Sequence, residues 1–207
     1  MIKRAKTWAI IPARSGSKGI KNKNIIPFLG KPLLCHSINF AKKLDFIDRI
    51  FLSTDSEIYK KIGLRYGAEV PFLRSKGASK SESMEEHVLE DIRIKLLRRK
   101  EELPENILWL RPTNPLRDIK LFKKAFLRFK KYKKSVCIVS RTDPRIFTFK
   151  NKKLIPLHPS FKKKSMVRRQ DCEHAYKIFY GEFFKFPKKY NKIFLGKQIN
   201  FFVQDDL

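Results

Sequence analysis

The sequence predicts an α/β fold in which a mostly parallel sheet is wound on both faces by helices. Three observations predict it. Short apolar runs alternate with longer amphipathic stretches through the first two thirds of the chain. The first apolar run feeds into a turn rich in glycine and cations. With 42% hydrophobic and 13% aromatic residues in 207 positions, a buried core forms and wholesale disorder is excluded.

Trp8-Ala9-Ile10-Ile11 reads as a buried strand. Leu33 to Leu44 reads as a helix with Leu34, Ile38 and Ala41 on one stripe. Arg49 to Ser53 is a second strand. Asp55 is the expected N-cap of a helix running to Tyr66, with Ile58, Ile62 and Leu64 toward its buried side and Gly67 ending it. Ala68 to Leu73 is a third short strand. Ser83 to about Lys100 is the longest helix, with Val88, Ile92 and Leu96 spaced by four. Asn106 to Leu110 is a strand, Asp118 to Lys131 a helix with an acidic cap, and Ser135 to Ser140 a strand. Beyond about Arg141 the pattern becomes irregular and β-rich. Ile146-Phe147-Thr148-Phe149 and Leu154-Ile155-Pro156-Leu157 frame a polar turn as a hairpin. Residues 158 to 172 are loop-like, and Tyr176 to Phe186 is an aromatic strand. No repeat or low-complexity linker divides residues 1–207, which read as a single domain.

The net charge is +28, from 48 basic and 20 acidic side chains. That balance suits anionic partners, although lysine is spread along the whole chain in the manner of compositional bias. The densest runs, Lys130 to Lys134 and Lys162 to Lys164, read as solvated edges. They carry no zinc-finger or RNP1-like aromatic motif, so nucleic acid is not the expected partner. Cys35, Cys137 and Cys172 form no CxxC pair and fit a reducing cytoplasm. No segment approaches the ~20 apolar residues of a membrane span. His36, His87, His158 and His174 are scattered, and no Ser-His-Asp or Cys-His set is apparent.

The informative segment is Ile11-Pro12-Ala13-Arg14-Ser15-Gly16-Ser17-Lys18-Gly19-Ile20-Lys21-Asn22-Lys23-Asn24. It follows a predicted strand. Its glycines free backbone N–H groups to approach a ligand, and Arg14, Lys18, Lys21 and Lys23 supply positive charge. A triphosphate needs both. The spacing is neither G-x-x-x-x-G-K-S/T nor G-x-G-x-x-G, and on chemistry alone a basic surface turn is the rival reading.

The same segment resembles the opening of the acylneuraminate cytidylyltransferases, whose pattern reads IPAR-x-x-SKG-x-x-x-KN. Further blocks of the resemblance follow in order: Gly30-Lys31-Pro32-Leu33-Leu34, Ser53-Thr54-Asp55, Gly67-Ala68-Glu69-Val70 with Pro71-Phe72-Leu73-Arg74, Arg111-Pro112-Thr113-Asn114-Pro115-Leu116-Arg117, and Arg168-Arg169-Gln170-Asp171. They cover residues 7 to 172. The resemblance implies a doubly wound, Rossmann-like nucleotide-diphospho-sugar transferase fold, a homodimer built through an excursion in the second half, and CTP and an acidic nine-carbon sugar as substrates. Related enzymes for pseudaminic, legionaminic or 3-deoxy-octulosonic acid are alternatives, as is a catalytically impaired nucleotide- or RNA-binding remnant.

Residue by residue, the resemblance makes Arg14, Lys23 and Arg169 catalytic. Ala13, Arg14, Lys18, Asn24, Arg74, Ser81, Ser83, Pro112 and Thr113 become nucleotide contacts, and Arg111, Asn114, Arg169 and Gln170 sugar contacts. Solvent exposure is the rival role of Lys18 and Lys21, helix capping that of Ser81 and Ser83, and a plain basic loop that of Arg169. The family usually has glutamine where Arg111 stands and serine where Asn114 stands. An arginine there could pair with a sugar carboxylate and alter substrate choice. The family also implies Mg²⁺ on an Asp-x-Asp pair, which by spacing would fall just past Leu207. Asp205 and Asp206 are adjacent rather than spaced, so the chain reads as a truncated or divergent member with its metal ligands missing. The Tyr-x-x-Asn-Gly segment expected after Asp171 is replaced by Tyr176-Lys177-Ile178-Phe179-Tyr180-Gly181.

Overall fold

A computed structural model describes residues 6–17, 19–150, 152–157, 168, 172 and 174–204. Strand β1 (Thr7–Pro12) is central. It pairs in parallel with β4 (Arg49–Ser53) on one side and β5 (Asn106–Trp109) on the other. β9 (Ala175–Lys185) runs antiparallel between β5 and β6 (Val136–Thr142), and β10 (Asn200–Val203) closes the sheet parallel to β6. The order is β10-β6-β9-β5-β1-β4, with one reversed strand among six.

Alternation along β1 explains the double winding. Ala9 and Ile11 face one side, where they join Leu34, Ile38 and Phe122 from α1 (Leu33–Lys42) and α4 (Ile119–Tyr132). Trp8 and Ile10 face the other, against Val88, Ile92 and Leu96 of α3 (Glu85–Arg98). Both clusters are buried. Asp118 caps α4 by accepting from Lys120 N–H at 2.7 Å, and Lys133 at φ 53° ends it. The Lys130–Lys134 run is therefore the exposed last turn of α4 and the residues after it.

Three expectations are corrected. α2 (Glu57–Arg65) is capped by Ser56, whose Oγ accepts from Tyr59 N–H at 3.3 Å, because Asp55 is engaged elsewhere. Its buried residues are Tyr59 and Gly63, while Ile58 and Leu64 are exposed, because the helical repeat puts them on either side of the stripe that Tyr59 and Gly63 present to the core. The expected strand at 68–73 is a single parallel bridge, Phe51 with Glu69. Pro71 has no N–H to continue it, and the next tie is Arg74 N–H to Thr54 C=O at 2.7 Å.

Two small hairpins flank the sheet: β2 (Pro27–Phe28) with β3 (Lys31–Pro32), and β7 (Phe147–Lys150) with β8 (Lys153–Pro156). The second sits where the irregular third was expected. Phe147, Phe149, Leu154 and Ile155 are all exposed on it. Among the described residues no helix is long and apolar enough to cross a membrane.

Candidate active site

The segment after β1 is held down by its own polar groups. Ala13 is fully buried, and its N–H donates to Ser53 C=O at 2.9 Å, extending the parallel pairing with β4. Ser15 donates twice to Asp55, from N–H at 2.8 Å and from Oγ at 3.2 Å. Asp55 is thus the anchor of this loop. Asn24, buried on the 3-10 turn Lys23–Ile25, donates from Nδ2 to Arg14 C=O at 3.0 Å and so joins the two ends of the loop. Asn22 enters that turn in the left-handed region at φ 54°, a conformation asparagine tolerates. Gly16 and Gly19 have a different status. A Cβ at either would meet nothing within 4 Å, so packing inside the protein does not require glycine there.

A cleft of about 500 Å³ opens at the carboxyl ends of β1 and β5. Arg14, Lys23, Asn24 and Arg74 line one side, Ser83 and Glu85 a second, and Pro112 and Thr113 a third. Val88 and Trp109 give it an apolar floor. Arg14 is steadied by a bond from Nη1 to Lys80 C=O at 2.6 Å. Arg74 is buried and donates to Ser53 twice, Nε to Oγ at 3.0 Å and Nη2 to C=O at 2.7 Å. Burial pushes its guanidinium down to about 10, which leaves it charged at neutral pH. Three cations therefore converge where two loops and the end of a sheet leave open space.

The expected serines divide. Ser83 lines the cleft and donates to Gly77 C=O at 2.7 Å, whereas exposed Ser81 donates to Glu82 at 2.8 Å. Neither caps α3. Its N-cap is Met84, whose N–H is taken by His87 Nδ1 at 3.0 Å.

A second cavity of about 490 Å³ adjoins the first and shares Glu85, Arg111 and Thr113 with it. Asn114, Ser140, Lys177, Ile178 and Tyr180 complete its walls. Arg111 stands at the junction. Its Nη1 donates to both oxygens of Glu182 at 2.7 Å, and Nη2 donates to Glu85 at 2.8 Å. Glu182 is only 2% exposed; burial raises its carboxyl above the ordinary value, and Arg111 opposes that shift. Arg117, also buried and pushed down to about 9 by burial, donates to Tyr180 C=O, Ser37 Oγ and Arg111 C=O at 2.9, 3.1 and 2.6 Å. This network was missed at the sequence level. Its one signal was a lone glutamate inside the aromatic run Tyr176 to Phe186.

Lys18, Arg169, Gln170, Asp205 and Asp206 lie outside the described residues. Among the described residues no group of three His, Cys, Asp or Glu side chains could hold a metal ion. Glu85 and Glu182, the acidic groups at the junction, are engaged by Arg111. These residues do not fit a Mg²⁺ site by themselves.

The fold and this cleft define a doubly wound α/β protein with a cation-lined cleft at the carboxyl edge of its sheet. The family follows from sequence comparison. The chain belongs to the cytidylyltransferase family, whose sequence profile matches residues 8–196. It is 38% identical over 124 residues to the pseudaminic acid cytidylyltransferase of Campylobacter jejuni, covering 60% of this chain and 53% of that protein. It is 34% identical over 139 residues to the N-acylneuraminate cytidylyltransferase of Escherichia coli, covering 67% of this chain and 32% of that one. The chain thus spans about half or less of the length of these relatives. A solved CMP:2-keto-3-deoxy-manno-octonic acid synthetase complexed with CTP superimposes with a TM-score of 0.67 at 12% identity, over 98% of this chain and 91% of that one. At that identity the likeness speaks for the fold.

Proposed function

We propose that this protein is a nucleotidyltransferase that activates an acidic nine-carbon sugar with CTP, giving the CMP-sugar and pyrophosphate. The observation that carries the reading is the convergence of Arg14, Lys23 and Arg74 on one cleft beyond β1. Gly19 adds to it: it lines the same cleft, where the lack of a side chain lets a ligand approach the backbone. In the reaction the oxygen of a sugar hydroxyl bonds to the α-phosphorus as its proton passes to water, and the bond to the departing pyrophosphate breaks. The three cations face the charge that accumulates on the leaving phosphates. Such preorganised stabilisation is the main contribution in transfers of this kind.

The nucleotide fills the first cavity and the sugar the second, with Arg111 between them. The names of the bacterial relatives support a sialic or pseudaminic type of acid. We further propose a homodimer formed through the β7–β8 hairpin, where Phe149 is 71% and Leu154 70% exposed, acting in the cytoplasm, in keeping with three free thiols. Pyrophosphate release is the direct test, with CTP offered alongside N-acetylneuraminate, pseudaminate, legionaminate and 3-deoxy-octulosonate. Release with one of the three nine-carbon acids is expected, and release with 3-deoxy-octulosonate alone would overturn the nine-carbon assignment. No release with any, from protein that CTP fails to stabilise against heat, removes the reading.

A further inference from the structure

Arg117 is buried, and among the described residues its hydrogen-bond acceptors are all neutral. Glu182, the carboxylate that acts on it, gives both oxygens to Arg111. A cation held out of water without a bonded carboxylate is costly, so packing alone does not account for an arginine here. The three acceptors lie on three elements. Nη1 reaches Ser37, which is fully buried on α1, and the guanidinium lies over Phe40 of the same helix, 5.6 Å from the ring centroid. Nη2 reaches the Arg111 carbonyl at the far end of its own loop, and Nε the Tyr180 carbonyl on β9. These last two elements are walls of the second cavity. The loop supplies Arg111, Thr113 and Asn114, and Asn114 is tied in through the same carbonyl, its N–H donating to Arg111 C=O at 3.2 Å. β9 supplies Lys177, Ile178 and Tyr180. A regular strand turns neighbouring side chains to opposite faces. Here the ladder is broken: Ile138 pairs with Gly181 but Ser140 with Lys177, so Ile178 to Tyr180 stand against Val139 alone. This bulge lets Lys177 and Ile178 line one cavity. Its residues lack ladder partners on β6, and Arg117 holds the carbonyl of one of them.

Resting on the reading of the two cavities given above, we propose that Arg117 is a positioning residue for the sugar. One guanidinium, braced on α1, sets the distance between the loop that carries Arg111 and the bulge of β9, and with it the shape of the second cavity. Its planar fork directs donors to several sides at once, whereas a lysine ammonium gathers its donors on one nitrogen and would hold one wall but not both. The nucleotide cavity depends on it less, because Arg14, Lys23 and Arg74 stand on other segments.

The test is calorimetric titration with the α,β-methylene analogue of CTP. N-acetylneuraminate, pseudaminate, legionaminate and 3-deoxy-octulosonate are then added to the analogue-saturated protein. Arg117→Lys is expected to bind the acid that wild type binds about tenfold more weakly, the scale of one charge-assisted bond, and the analogue within about threefold of wild type. Ser37→Ala removes the brace and keeps the guanidinium; acid binding about threefold weaker is expected, and this variant decides alone should Arg117→Lys not fold. Leu96→Val, in the core beneath α3 on the other face of the sheet, controls for lost stability and should bind the acid like wild type. Acid affinity at the wild-type level in either Arg117→Lys or Ser37→Ala overturns the proposal. So does analogue affinity that falls as far as acid affinity, or an equal loss of acid binding in Leu96→Val, since either makes Arg117 a general support of the fold. Wild type that binds the analogue but no acid also overturns it. If wild type binds no analogue, the nucleotide reading falls and the proposal with it.

Discussion

Replacing Arg74 by methionine separates two roles that one guanidinium combines, tying the end of β4 and facing the cleft. Methionine keeps most of the length and removes the charge and both bonds to Ser53. The lost bonds are charge-assisted, each contributing about 1.5–3 kcal/mol. Against them stands the cost of holding the charge out of water: the drop from 12.5 to about 10 corresponds to about 3 kcal/mol. The two contributions nearly cancel, so the stability of the unliganded protein should change by only about 1–2 kcal/mol. Nucleotide affinity has no such compensation. Loss of one charged contact to phosphate, about 2 kcal/mol, raises the Kd for CTP about thirtyfold. Urea melts give the first quantity and CTP titration the second. A variant that loses more than about 4 kcal/mol of stability yet binds CTP like wild type would show Arg74 to be a structural strut and refute the reasoning.

Other expectations rest on the fold. Gly181→Ala places a Cβ 2.5 Å from Phe122 Cε1, on a ring already packed against Phe40 and Phe183; it should cost about 1–3 kcal/mol, read as a Tm lowered by about 2–4 °C per kcal/mol. Burial raises the thiols of Cys35 to about 11 and Cys137 to about 12, so iodoacetamide at pH 8 should leave both unlabelled in the native protein and react with both in urea. The Arg93 guanidinium bonds both oxygens of Glu90 at 2.7 and 2.6 Å and holds that carboxyl below its ordinary value. The stability of wild type over Glu90→Gln, about 0.5 kcal/mol, should therefore be complete above the ordinary carboxylate pKa and vanish as pH falls through the depressed one. A difference that grows on acidification would contradict the pairing.

Much of the architecture was legible because it is periodic. The apolar alternation Trp8-Ala9-Ile10-Ile11 marks β1 and both of its faces, and the four-residue spacing of Val88, Ile92 and Leu96 marks the buried side of α3. The turn beyond β1 was legible from composition, since glycine and cations after a strand suit a phosphate. Helix phases with mixed cues were not. Asp55 and Ser56 are both good caps, and the choice was made by Ser15, forty residues away, which takes the Asp55 carboxylate and leaves the cap to Ser56. The helical repeat puts Ile58 and Leu64 on either side of the Tyr59–Gly63 stripe, in solvent.

What the sequence by itself determined is the class of fold, the cation-rich loop and the family, because each is written in residues close together along the chain. Only the tertiary structure decided the wiring of the far half of the cleft. Glu85, Glu182 and the loop that carries Arg111 and Arg117 lie on separate segments, and their pairing depends on β9 entering antiparallel between β5 and β6. A buried charge must find its partner in space, and the spacing of residues along a chain does not tell which strand will lie beside which.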